Sequence, residues 1–158
     1  RDVQFLCVRA STVDRRALDS GCELAGIDIP IVEENRYEAL NAADLVWTAS
    51  GTATLETALL LKPMIIVYRL AWVTYWIARL LVRVEHVGMA NLIAGERVVP
   101  ELIQGDFTPE RIVRESQRIL DDPEARSLIV QKLSQVKDKL GTSGAAGRVA
   151  ELALGMMS

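Results

Sequence analysis

Short apolar runs alternate with segments of helical periodicity through the first two thirds of the chain. Residues 3–9 predict a strand, and residues 12–25, which stop at Gly26, predict a helix. A second strand is predicted over 27–32, with Pro30 near its end, and a short helix over 36–43 whose Tyr37, Leu40 and Ala43 share a face. Residues 44–48 predict a third strand that turns at Ala49-Ser50-Gly51 into a helix over 52–61. Residues 64–68 predict a fourth strand, and its Ile65-Ile66-Val67 is apolar toward both faces, as in a central parallel strand. Strand and helix alternating in this way predict an α/β fold built on a mainly parallel sheet. The remainder turns helical. Residues 72–84 predict a strongly apolar helix with Arg79 and Arg83 near its C-terminal end, where positive charge suits the helix dipole. Residues 87–95 are a short glycine-bounded segment and 98–104 a brief element. Thr108-Pro109-Glu110 and Asp122-Pro123-Glu124 each join an N-cap, a first-turn proline and an early acid. Gly141 stops the second of these helices, and Ser143-Gly144 opens a last one reaching about Met156. With no internal repeat and no low-complexity tract, residues 1–158 are expected to form a single domain.

Composition narrows the function classes. A chain of 158 residues, half of them apolar, buries a core without disulfide or metal staples. Eighteen Lys and Arg against 21 Asp and Glu, a net charge of -3, lack the broad basic footprint that phosphate-backbone binding requires, so no nucleic-acid partner is expected. Cys7 and Cys22 form no C-x-x-C pair and have no histidine beside them, which predicts buried free thiols and a reducing, cytoplasmic setting. Within the most apolar stretch, residues 57–84, the longest uncharged run, residues 70–78, falls far short of the roughly 20 residues that span a bilayer. The chain opens on Arg1-Asp2-Val3, which reads as the interior of a longer protein.

The first chemistry lies in Asp44-Leu45-Val46-Trp47-Thr48-Ala49-Ser50-Gly51-Thr52-Ala53-Thr54-Leu55-Glu56. A parallel strand that breaks at Ser-Gly into a helix presents unpaired backbone N–H groups and the positive end of the helix dipole beyond the sheet's carboxyl edge, where phosphate binds. Gly51 permits close approach of a ligand, and the hydroxyls of Ser50, Thr52 and Thr54 add donors. Glu56, one turn on, suits hydrogen bonds from ribose hydroxyls. The same spacing also fits an ordinary capped helix with Glu56 in solvent, and both readings stand on spacing alone. G-x-G-x-x-G and G-x-x-x-x-G-K are absent, which removes support from hydride transfer and nucleotide hydrolysis.

Further residues add a resemblance. The block from Ala49 to Glu56, Lys62-Pro63-Met64 before a strand ending in Tyr68-Arg69, an aromatic helix, and Asn91-Leu92-Ile93-Ala94-Gly95 resemble, in order and spacing, the C-terminal half of the lipid-A-disaccharide synthase family. The resemblance runs from about Val3 to the C-terminus. It implies a GT-B glycosyltransferase and, for this chain, a Rossmann-like parallel sheet flanked by helices with a helical C-terminal region. It implies condensation of UDP-2,3-diacylglucosamine with 2,3-diacylglucosamine 1-phosphate to a β-1,6-linked disaccharide and UDP. The UDP-sugar donor is then held by this half and the acylated glucosamine phosphate acceptor largely by the other, with no cofactor. Carried over by position, Ser50, Gly51, Thr52 and Glu56 line the diphosphate and ribose, Arg69 offsets negative charge in the cleft, and Asn91 lies near the reacting centre as the candidate catalytic residue.

Two departures from the family pattern are present. Ala90 stands where the family usually has proline before N-L-x-A-G, which predicts a less rigid loop. The L-P-G-S-R segment that normally begins this half is missing, so an absent first strand, an absent phosphate loop, an absent acceptor-side half and an inactive isolated chain are expected.

Inverting glycosyl transfer needs a base for the acceptor hydroxyl and stabilisation of charge on the leaving diphosphate. The Ser50-Gly51 turn suits the second task. No residue here suits the first, and His86, alone after Val84-Glu85, reads as a surface or structural residue. The segment 72–83 allows two readings: an aromatic and arginine-bearing helix at a membrane surface, where acylated substrates reside, or a buried helix whose arginines reach solvent through their stems. The lipid substrates that the resemblance implies favour the first, and with it a place at the inner membrane of a Gram-negative-type bacterium. The competing functions are another UDP-sugar transferase or epimerase domain and a non-catalytic nucleotide-binding or interaction module.

Overall fold

The computed structural model describes residues 3–69, 86–141 and 144–156, so the apolar helix expected over 72–84 lies outside the described residues. The chain begins with β1 (Cys7–Val8), α1 (Arg15–Ala25), β2 (Ile31–Val32) and α2 (Arg36–Ala42). It continues through β3 (Val46–Ala49), α3 (Thr52–Leu59), β4 (Met64–Tyr68), α4 (Met89–Ala94) and β5 (Glu101–Ile103). A 3-10 turn (Gln104–Asp106) then leads to α5 (Pro109–Asp121), α6 (Pro123–Leu140) and α7 (Ala145–Gly155).

Among the described residues every strand pairing is parallel: β1 with β2, and β4 between β3 and β5. Parallel neighbours with helical crossovers give the α/β architecture that the alternation predicts and the Rossmann-like arrangement that the resemblance implies. β4 matches its expected bounds, and Met64, Ile65 and Ile66 are fully buried because helices cover both faces of the middle strand. Ala58 of α3, Ala90 of α4, Leu102 of β5, Ile119 of α5 and Ile129 and Leu133 of α6 close around them into one core. The two proline-led helices begin where their caps predict. Thr108 Oγ1 accepts from Arg111 N–H, and Asp122 Oδ1 accepts from the N–H groups of Glu124 and Ala125 at 3.0 Å each.

The first two strands are shorter than their apolar runs. Only Cys7–Val8 of the expected 3–9 and Ile31–Val32 of the expected 27–32 are strand, because β1 and β2 have only each other as pairing partners among the described residues. Phe5, Leu6 and Ile27 accordingly stay exposed. Phe5 instead packs its ring against Trp47 of β3, with centroids 5.6 Å apart, and Trp47 Nε1 donates to Ser116 Oγ of α5 at 2.9 Å. Cys7 and Cys22 are free thiols as expected, but each is half-buried where full burial was predicted, for the same lack of cover over β1 and α1. Burial raises the Cys7 thiol above its ordinary range, and Cys22 adds to the effect.

Two outcomes are expected. Leu133→Ala, at a fully buried position, should cost about 2–5 kcal/mol, read as a lower urea midpoint at unchanged slope. Alkylation of Cys7 by iodoacetamide should be slower than that of free cysteine near pH 8 and should speed up as the pH rises, since the thiolate is the nucleophile; equal rates would contradict the raised thiol.

Candidate functional site

β3 ends at Ala49, and the chain leaves the sheet through Ser50-Gly51. Gly51 has φ 143° and ψ -160°, a conformation that a Cβ opposes, so glycine is required for this exit. Gly51 is also the N-cap of α3, where no side chain caps the helix. The residues carrying the first N–H groups, Thr52 and Ala53, are exposed, so donors and the positive helix end face solvent together.

Helical spacing then sorts the side chains of α3. Thr54, Thr57 and Ala58, at i, i+3 and i+4, are buried, while Thr52, Ala53 and the half-buried Glu56 occupy the opposite face. The Glu56 carboxylate forms no hydrogen bond with another described residue. Thr54 corrects one expectation. Its side chain is fully buried and its hydroxyl donates to the Gly51 carbonyl at 2.7 Å, so it shapes the turn from below and offers nothing to a ligand.

Ala49 is in register with Val67, so Ser50 and Arg69 leave neighbouring strands at the same carboxyl edge. The exposed Arg69 guanidinium lies 5.4 Å over the Phe107 ring and donates to the Phe107 carbonyl at 3.3 Å, which holds a positive charge at the end of β4. Beyond β1 and β2 a second charged group forms on the surface. Arg15 and Arg9 donate to Glu33 at 2.8 and 2.9 Å and hold its carboxyl below the usual range.

The segment 86–91 packs onto the sheet next to α3. Ser50 Oγ donates to the Val87 carbonyl at 3.1 Å, beside the half-buried His86. Gly88 packs so tightly that a Cβ there would overlap Ile66 Cδ1 and press on Glu101 Oε1. Ala90, expected to loosen a loop, lies fully buried in the first turn of α4, because this stretch is helix and not loop. Asn91 is 0% exposed and has all four amide valences matched. Its Nδ2 donates to the Val99 carbonyl at 2.9 Å and to Glu101 Oε1 at 2.8 Å. Its Oδ1 accepts from the N–H groups of Val98 at 2.8 Å and Val99 at 2.9 Å.

Glu101 is the residue that sequence reasoning passed over. Its carboxylate accepts from Val87 N–H and Gly88 N–H at 3.0 Å each, besides Asn91. The available signal was a lone acid within the otherwise apolar stretch Val98-Val99-Pro100-Glu101-Leu102-Ile103. Ser50, Gly51 and Arg69 thus lie at one carboxyl sheet edge, Thr52 and Glu56 share the outer face of the helix that leaves it, and Asn91 is buried inside the fold.

One groove, of about 680 Å³, is lined by Arg15, Asp19, Cys22, Glu23 and residues 26–31, and another of about 380 Å³ lies between residues 97–100 and α5 and α6. Neither contains a residue of the Ser50–Glu56 turn. Among the described residues, this turn offers the backbone donors of the first turn of α3, the Thr52 hydroxyl and the Glu56 carboxylate, with the Ser50 hydroxyl turned to the Val87 carbonyl. That set suits a diphosphate joined to a sugar.

The family described as lipid-A-disaccharide synthetase matches residues 6–151. Among individual proteins, the lipid-A-disaccharide synthase of Anaeromyxobacter dehalogenans strain 2CP-1 is 43% identical over 159 residues, covering 99% of this chain and 41% of its own length. That of Geobacter sulfurreducens is 40% identical over 156 residues, with 99% and 41% covered. That of Syntrophus aciditrophicus is 44% identical over 155 residues, with 96% and 40% covered. The chain thus spans about two fifths of the length of these relatives.

Gly88→Ala should destabilise the protein by about 1–3 kcal/mol, because the buried Ile66 cannot swing away. Adding Ile66→Val, which removes the offending methyl, should recover part of that loss in thermal unfolding. A single variant as stable as the parent would contradict the close approach.

Proposed function

The chain belongs to the lipid-A-disaccharide synthase family, and on that premise we propose that it forms the donor-binding part of an inverting glycosyltransferase. The reaction is the condensation of UDP-2,3-diacylglucosamine with 2,3-diacylglucosamine 1-phosphate, giving lipid A disaccharide 1-phosphate and UDP. The observation that supports this reading most directly is the uncapped first turn of α3. Gly51, in a conformation reserved for glycine, leads into exposed backbone donors, with Glu56 on the same face bonded by no other described residue.

Each residue then has a task. The first-turn N–H groups of α3 and the hydroxyl of Thr52 take the diphosphate oxygens, while Ser50, its one hydroxyl proton given to the Val87 carbonyl, holds the turn in shape beside them; the donors and the helix dipole gain strength as negative charge grows on the leaving UDP. Glu56 accepts from the ribose hydroxyls. Arg69 supplies positive charge at the same edge, and its stacking on Phe107 limits the reorganisation needed when the donor arrives. Asn91, with its amide fully occupied inside the fold, acts as a positioning residue that shapes the segment over the turn. Deprotonation of the acceptor hydroxyl falls to groups beyond these residues, so the chain by itself is expected to bind donor without turning it over. Both substrates carry acyl chains, which brings the work to a membrane surface. Among the described residues no helix is long and apolar enough to cross a membrane.

Calorimetric titration with UDP tests the reading. The folded chain should bind UDP, and Glu56→Ala should weaken binding by roughly 10- to 100-fold, the effect of losing hydrogen bonds to a charged group. A folded chain that gives no heat with UDP would overturn the proposal in favour of an interaction module.

A further inference from the structure

We propose that Glu101 is a positioning residue for the donor turn, acting on Ser50 through Val87. This rests on the donor-site reading above and adds to it the element that sets the turn's geometry. The route is a chain of short polar contacts. Ser50 Oγ donates to the Val87 carbonyl at 3.1 Å, and the N–H of the same residue donates to Glu101 Oε2 at 3.0 Å. Glu101 Oε1 accepts from Gly88 N–H at 3.0 Å and from Asn91 Nδ2 at 2.8 Å. Glu101 is in register with Ile66 in β4, and Gly88 rests on both, so the carboxylate reports the position of the sheet to the segment above it.

All three contacts to Glu101 are donors, which is why the position calls for an ion with two accepting oxygens and not for an amide. A glutamine can match only one side. With its oxygen toward Gly88 and Asn91, its NH2 meets the Val87 N–H donor to donor; the reverse orientation sets it against two donors and is worse. Glu101→Gln therefore loosens Val87 selectively while leaving Asn91 and the core packing in place. Val87 in turn is the anchor of the Ser50 hydroxyl. Without that anchor, Ser50 is free to rotate, and the phosphate-facing turn loses part of its preorganisation.

A double-mutant cycle in the intact protein separates this role from a purely structural one. Glu101→Gln should weaken UDP binding about tenfold, of the order expected for one charge-assisted hydrogen bond. In a Ser50→Ala background the same change should have little further effect, since the route passes through that hydroxyl. A measurement on the unsubstituted protein accompanies the cycle: UDP should slow amide exchange at Val87, because binding at the turn that the Ser50–Val87 bond shapes and anchoring at Glu101 are linked. Unchanged UDP affinity in folded Glu101→Gln, or losses that add in full to those of Ser50→Ala, would overturn the coupling and leave the donor site standing. If Glu101→Gln does not fold, unaltered Val87 exchange on UDP binding is the overturning result. Failure of the folded, unsubstituted protein to bind UDP would remove the donor site and this inference together.

Discussion

The four hydrogen bonds of the Asn91 amide hold together three stretches of chain that apolar contacts alone would leave free to slide: α4, the turn at 98–99, and the first residue of β5. An amide buried in this way is stable only when all its donors and acceptors are matched, since one unmatched group costs about 1–3 kcal/mol. That requirement makes the arrangement all-or-none. The entry into β5, the seat of Gly88 on Ile66 and the height of Val87 above the sheet follow from it. Through Val87 it also reaches Ser50 at the end of β3.

The turn after β3 solves a different problem, that of leaving donors unsatisfied in a folded protein. Unpaired N–H groups are tolerated at the first turn of α3 because it lies at the surface, while the opposite face of the same helix is buried tightly in the core. Thr54 and Thr57 bridge the two demands. Their hydroxyls bond back to the carbonyls of Gly51 and Ala53, so polar groups inside the core are matched and the turn above them is shaped. The exposed donor turn and the core packing are therefore served by opposite faces of one eight-residue helix.

Local patterns carried much of this. The run 64–68 was legible as a central strand because nothing polar interrupts it, and the starts of α5 and α6 were legible because an N-cap and a following proline are chemically specific. The strand, glycine turn and helix from Val46 to Leu59 were readable for the same reason, as was the family, through blocks of residues at fixed spacing. What escaped were features made by distant partners. The shortness of β1 and β2 depends on which edges find a neighbour, not on the residues within them. Trp47 reaches Ser116 across the molecule, and Glu101 meets Val87, Gly88 and Asn91 only after the crossover into β5 has formed. Thr54 reads like its exposed neighbours until helical phase assigns it to the inner face.

β5 is a three-residue strand at the edge of its sheet, with Leu102 buried against the core and Glu101 and Ile103 turned the other way. So short an element has few backbone contacts with which to distinguish correct pairing from a neighbouring alignment. A shift by one residue would drive a carboxylate into hydrocarbon and present a leucine to three hydrogen-bond donors. The penalty falls on both faces at once, so the acid that shapes the segment above the sheet also guards the alignment of the strand that carries it against errors made while the chain folds.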